Sequence, residues 1–198
     1  MSSTAARASG SEPLPLRPCI VVMGVSGCGK SSVGQGLAAA LGLPYLEGDQ
    51  LHPEANVRKM AGGTPLTDAD RAGWLDALAG RLAAAAAGPG PGLILGCSAL
   101  KRAYRDRLRQ AAPDLRLVHL HGHADLLAQR MAQRQDHYMP ASLLPSQLAT
   151  LEPPAPDEHA LVLDIAQPLD RLVAAAVQHL QHLQHLQHPH PESPESRP

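Results

Sequence analysis

The sequence predicts an α/β protein built on a five-stranded parallel sheet with helices on both faces. Three observations carry that expectation. Five short apolar runs alternate with segments of helical length and pattern. The first run, "CIVVM" (Cys19–Met23), is apolar throughout, as a strand buried on both faces must be. It leads directly into a glycine-rich loop, "GVSGCGKSS" (Gly24–Ser32), and then into a helical pattern.

The remaining elements follow in order. A helix is expected from about Gly29 to Leu41, with Gly42 supplying a left-handed stop. "PYLEGD" (Pro44–Asp49) reads as a short second strand. "LHPEANVRKM" reads as a helix that accommodates Pro53 in its first turn. Thr67 and Asp70 are spaced nearly as a capping box and open the long helix "TDADRAGWLDALAGRLAAAAA". "GPGPG" (Gly88–Gly92) breaks that helix. "LILGCS" is the third strand, and "ALKRAYRDRLRQ" is a basic helix that stops before Pro113. "LRLVHLHG" is the fourth strand, followed by the helix "ADLLAQRMAQRQ". "ALVLDIA" is the fifth strand, and a last helix starts after Pro168.

This order fits one domain over residues 18–177, with a lid at about 124–150. Residues 1–17 have two arginines but no apolar stretch behind them, so they read as a disordered leader and not as a secretory signal. Residues 178–198 repeat Gln-His-Leu and become Pro-rich, a low-complexity tail. Its histidines could take a divalent metal; the plainer reading is a simple repeat that extends the last helix and frays.

Composition excludes several classes. The chain has 198 residues and a formal charge of −1, without the basic excess of a nucleic-acid binder. No apolar run is long enough to cross a membrane. Cys19, Cys28 and Cys97 are odd in number and lack metal-ligand spacing, which suits free thiols in a reducing cytoplasm.

The loop carries the first chemistry. Gly24 and Gly29-Lys30-Ser31 fit G-x-x-x-x-G-K-[ST]. Such a loop wraps an anion in backbone N–H groups, so bulky residues are excluded where it turns tightly. Gly24, Val25, Ser26, Gly27, Cys28, Gly29, Lys30, Ser31 and Ser32 are therefore expected to hold ATP. Lys30 would reach the β- and γ-phosphates, and the Ser31 hydroxyl would take Mg²⁺. The following helix adds its positive end.

The acceptor side is narrowed by what is missing. The third strand ends in Gly96, Cys97 and Ser98, with no acidic residue for a metal, which argues against a motor ATPase or GTPase. No guanine-reading Asn-Lys-x-Asp stretch is present. Asp49 falls at the end of a parallel strand, where open α/β sheets bind ligands, and a carboxylate there can activate a hydroxyl. The alternative for Asp49 is a helix cap. His52, Asn56 and Lys59 lie at i, i+4 and i+7 and are expected to share a polar, mildly cationic helical face. Arg71 either pairs with Asp68 and Asp70 or reaches substrate or γ-phosphate. Ser98, Lys101, Arg102 and Arg105 begin at another strand end, so the first turn could face substrate, whereas Arg105, Arg107 and Arg109 read as solvated or paired. Arg130 and Arg134 share one face of the lid helix, placed to neutralise transferring phosphate.

Taken together, "GVSGCGKS", "EGDQLHPEANVRKMAGGTPLTDADRAGWL", "CSALKRAYRDRLR", "HYMPASLLPSQLATLEPP" and "VLDIAQPLD" resemble the bacterial-type (thermoresistant) gluconokinases over about Cys19 to Ala176. The resemblance implies a P-loop NTPase fold of nucleoside- and shikimate-kinase type with a helical lid. It implies transfer of the ATP γ-phosphate to the 6-hydroxyl of D-gluconate with Mg²⁺. On that basis Lys30, Asp49 and Arg130 would be catalytic. His52, Lys59 and Arg71 would hold the acid or nearby phosphate, and Gln167 would touch adenine. Family members are often homodimers. Gly73 stands where the family often has Pro, and Cys28 where it often has Ser; neither change removes a reacting group. Three alternatives stay open: another polyol acid such as shikimate as acceptor, a nucleotide-binding regulator without transfer, and a metal-binding role for the tail.

Overall fold

A computed structural model describes residues 17–133 and 140–187 of the chain. The expected leader (apart from Arg17), Arg134 of the lid and the last eleven residues of the tail lie outside them.

Five strands form one parallel sheet: β1 Cys19–Met23, β2 Tyr45–Glu47, β3 Leu93–Cys97, β4 Arg116–His121 and β5 Leu161–Asp164. Their spatial order is β2-β3-β1-β4-β5, so the strand that feeds the glycine loop is central. Val21 pairs with Leu95 on one side and Leu117 on the other. Alternation splits the apolar side chains into two layers. Ile20, Val22, Ile94, Val118, Leu120 and Leu163 face α1 (Lys30–Leu41) and, further along the chain, the final helix. Cys19, Val21, Met23, Leu93, Leu95 and Leu117 face the other way. There they pack on Trp74, Leu75, Leu78 and Leu82.

Those four belong to the third helix. The second, α2, covers Glu54–Ala61 and the third, α3, covers Asp68–Ala87. The Thr67–Asp70 capping box that opens α3 is complete in both directions. The next helices are α4 (Arg102–Ala111), α5 (Ala124–Ala132), α6 (Leu144–Thr150) and α7 (Leu169–Gln187). No helix among the described residues is long and apolar enough to cross a membrane.

Two expectations change. Pro53 does not lie inside a helix. Gly48–Leu51 form a short 3₁₀ turn, His52 and Pro53 are extended, and α2 starts at Glu54. A residue before proline is driven out of the α region, so His52 cannot join α2. The face expected to carry His52, Asn56 and Lys59 together therefore does not exist. Second, the boundary expected at residue 178 falls inside α7, which runs on to Gln187. Leu180 is buried at 5% exposure and packs in the core with Leu172 and Ala176. Removing a buried leucine of this kind costs about 2–5 kcal/mol, so a cut after Val177 would remove part of the core.

His119 on β4 is buried at 3% exposure, and neither ring nitrogen has a hydrogen-bond partner among the described residues. Burial first, then the nearby His121 and Arg105, lowers its pKa to about 4. Its unfolded value is about 6.5. The folded chain therefore binds fewer protons than the unfolded chain between those values. Stability is expected to be full above about pH 6.5 and to fall as pH drops toward 4. In urea unfolding at pH 7 and pH 4.5, His119→Leu is expected to lose less stability between the two pH values than the parent chain. An unchanged acid loss would show that His119 is not its source.

Candidate active site

The strand ends at the carboxyl edge of the sheet converge on the glycine loop. Gly24 adopts φ 141° and its N–H donates to the Ser98 carbonyl at 3.3 Å, just past β3. A Cβ on Gly24 would lie 2.6 Å from the Leu120 carbonyl of β4. Only glycine fits between the two neighbours of β1. Lys30 is buried, and its Nζ donates to the Val25 carbonyl at 3.2 Å across the loop. The start of α1 has no side-chain cap, which leaves its N-terminal amides directed at the loop's anion site.

Beside the loop lies a polar pocket. Ser26, Lys30, Asp49, His52, Arg71, Ser98 and Gln147 line it, with Met60, Leu66 and Leu143 as apolar walls. Asp49 reaches it from the 3₁₀ turn that follows β2. His52 stacks on Trp74, with ring centroids 4.2 Å apart and planes 13° apart. The Trp74 indole N–H donates to the Gly48 carbonyl at 2.8 Å, which fixes the turn bearing Asp49. Burial first, then Arg71, lowers the His52 pKa to about 4. His52 is therefore a neutral hydrogen-bonding group near pH 7.

The two lysines expected on substrate are engaged elsewhere. Lys59 pairs with Asp70 at 2.5 Å, and Lys101 with Asp68 at 2.8 Å. Lys59 and the Thr67 cap hold the Asp70 carboxyl well below the usual range. Lys101 and Tyr104 lower that of Asp68. Asn56, whose side chain donates to the Asp70 carbonyl at 2.8 Å, joins the same α2–α3 seam. Arg71 forms no ion pair with these carboxylates; it lines the pocket, 6.0 Å from the Tyr104 ring centre.

On the other side of the loop, Arg130 Nη2 donates to the Ile165 carbonyl at 2.8 Å. Its Nη1 is 4.0 Å from the Cβ position of Gly29, so it borders the phosphate loop without lining the pocket. Gln167 is exposed in the turn after β5, also outside the pocket.

Glu47 and Gln147 were not singled out from the sequence. Glu47 Oε2 accepts from Ser31 Oγ at 2.5 Å and from the Tyr45 hydroxyl at 2.8 Å. Its Oε1 is buried without a hydrogen-bond partner among the described residues. A Cβ on Gly96 would lie 2.3 Å from the Tyr45 hydroxyl, so glycine on β3 makes room for this group. An acidic residue therefore lies beside Ser31 on β2, the neighbour of β3. The signal was Glu47's place two residues after Tyr45 on β2, the spacing that returns a strand to the same face. An orphaned carboxylate oxygen beside a serine hydroxyl is an all-oxygen set that suits a hard cation such as Mg²⁺. Gln147 Oε1 accepts from the Ser26 N–H at 2.7 Å and ties α6 to the loop. The two residues are 121 positions apart, and no local pattern links them.

Comparisons with known proteins agree with this geometry. A family model described as an AAA domain matches residues 19–154. A gluconokinase of Gluconobacter oxydans (strain 621H) is 49% identical over 160 residues, covering 81% of this chain and 89% of that protein. The thermoresistant gluconokinase of Escherichia coli (strain K12) is 43% identical, covering 80% and 90%. The crystal structure of a gluconokinase from Sinorhizobium meliloti 1021 superposes with a TM-score of 0.78 at 49% identity, covering 87% of this chain and 97% of that one.

Trp74 is the chain's single tryptophan and lies under the pocket against His52. Filling the pocket is expected to change its emission saturably. His52→Ala should alter the unliganded spectrum and weaken that response. A spectrum indifferent to both would mean that the stacked pair does not report on the pocket.

Proposed function

The chain belongs to the gluconokinase family, and on that premise we propose that it transfers the γ-phosphoryl group of ATP to the 6-hydroxyl of D-gluconate, giving 6-phospho-D-gluconate and ADP. The observation that carries this reading is the meeting of Asp49, His52, Arg71 and Ser98 in one pocket with Lys30. A phosphate-loop lysine, a carboxylate, a guanidinium and hydroxyl-binding groups are what a hydroxylated acid and a moving phosphoryl group require.

The roles follow from position. The loop amides and Lys30 hold the β- and γ-phosphates and offset charge as it spreads over the transferring group. Asp49 orients the 6-hydroxyl and accepts its proton as the oxygen attacks phosphorus. Arg71, which pairs with neither Asp68 nor Asp70, binds the gluconate carboxylate, while neutral His52 and Ser98 hydrogen-bond its hydroxyls. Arg130 adds positive charge from the lid side. Ser31 and Glu47 would hold Mg²⁺, which when bound supplies charge neutralisation between the β- and γ-phosphates. Lys59 and Lys101 act through Asp70 and Asp68 by shaping the wall that carries Arg71. The reading extends to a cytoplasmic homodimer that works without a nucleic-acid or membrane partner.

The test is ADP release with Mg-ATP, supplying gluconate, shikimate and other sugar acids in turn. Gluconate-dependent release is expected. Release with shikimate but not gluconate would replace the acceptor, and tight ATP binding without transfer to any acid would favour a regulator. Asp49→Asn is expected to keep ATP binding and lower turnover by about a hundredfold or more, and Lys30→Ala to cost roughly 3–4 kcal/mol of transition-state stabilisation. Near-parent turnover in Asp49→Asn would reduce Asp49 to a structural group.

A further inference from the structure

The turn after β3 contains a strained residue that the functional reading does not use. Ala99 adopts φ 43°, in the left-handed region, and is fully buried. A non-glycine residue persists there only when its surroundings hold it. Ala99 directly follows Ser98, which lines the acceptor pocket and whose carbonyl receives the Gly24 N–H of the phosphate loop.

The group that holds it is Arg105 on α4, 1% exposed. Its Nη1 donates to the carbonyls of Ala99 at 3.1 Å, Leu100 at 3.3 Å and Glu152 at 3.0 Å. Its Nε and Nη2 grip Glu158 at 2.6 and 2.8 Å. Glu158 has a fully buried side chain and also accepts from the Ala155 N–H at 2.9 Å. The Glu152 N–H donates to the Leu100 carbonyl at 2.8 Å, closing the seam between the turn and the segment that follows α6. One guanidinium therefore binds the strained turn and is neutralised by a carboxylate from a distant part of the chain. A lysine could carry the charge, but it lacks the planar fork that serves these acceptors together.

We propose that Arg105 is a positioning residue for phosphoryl transfer: by clamping the carbonyls of Ala99 and Leu100 it holds the left-handed turn that presents Ser98 to the acceptor and fixes the first glycine of the phosphate loop. It touches neither substrate and acts through the backbone of residues 98–100. The proposal rests on the reading of the pocket as the gluconate site.

The experiment is a double-mutant cycle of Arg105→Lys and Ala99→Gly, read as kcat and KM for gluconate at a temperature where all variants are folded. Glycine adopts this backbone conformation without strain, so Ala99→Gly removes the need for the clamp. Arg105→Lys is expected to lower kcat/KM for gluconate between about ten- and a hundredfold. Adding Ala99→Gly is expected to restore it to within about threefold of the Ala99→Gly single variant. A lower Tm with unchanged kcat and KM in Arg105→Lys would make Arg105 merely structural and overturn the proposal. A loss that Ala99→Gly does not rescue would overturn it as well. Should Arg105→Lys not fold, Glu158→Gln carries the same cycle, with a smaller loss and the same rescue expected, and an unrescued or absent loss overturning it. Failure of the parent chain to use gluconate would overturn the functional reading and this proposal together, whereas failure of the cycle alone leaves that reading standing.

Discussion

The site depends on a space too small for a methyl group. At Gly24 the chain leaves the central strand and must turn between the backbones of β3 and β4, donating to the Ser98 carbonyl on one side and lying against the Leu120 carbonyl on the other. Close packing makes such a position intolerant of even one added carbon. Because the loop is wedged there, its path is set before any anion arrives. That preorganisation is what makes an anion site effective, since no reorganisation is needed when charge moves.

Around this wedge the acidic and basic groups sort themselves by pairing. The N-terminus of α3 presents Asp68 and Asp70, where a helix dipole favours negative charge. Each takes a lysine from outside α3, and Arg71, the residue after Asp70, lines the pocket. A stretch that reads as an undivided cluster of charges is thus a division of labour. Two carboxylates tie α2 and the 98–101 turn to α3, and one guanidinium lines the pocket. His52 fits the same scheme. Stacked on Trp74 and kept neutral by burial and by Arg71, it adds hydrogen bonding without adding charge.

Much of this was legible in the sequence because it is local. A buried strand shows itself as an unbroken apolar run, the phosphate loop as a fixed spacing, and the α3 cap as Thr67 with Asp70. Asp49 could be placed at a strand end for the same reason. What could not be read required tertiary contact. Arg105 read as solvated or paired, and nothing local says that its partner is Glu158, 53 residues on, or that the pair lies in the interior. Lys59 and Lys101 looked like substrate ligands until the fold brought each to an aspartate of α3. His52 was assigned to a helix from its spacing, and the proline after it decided otherwise.

The continuation of α7 into the Gln-His-Leu repeat bears on how this chain tolerates change in length. An α-helix turns about 100° per residue, so a three-residue unit brings its leucine back about 60° short of its predecessor. The first leucine of the series, Leu180, reaches the core, and the next, Leu183, is only partly buried. Leu183 therefore lies about 60° around the helix from Leu180. Gain or loss of triplets beyond the first is therefore nearly invisible to folding, and copies of this gene that differ in repeat number would encode the same packed domain.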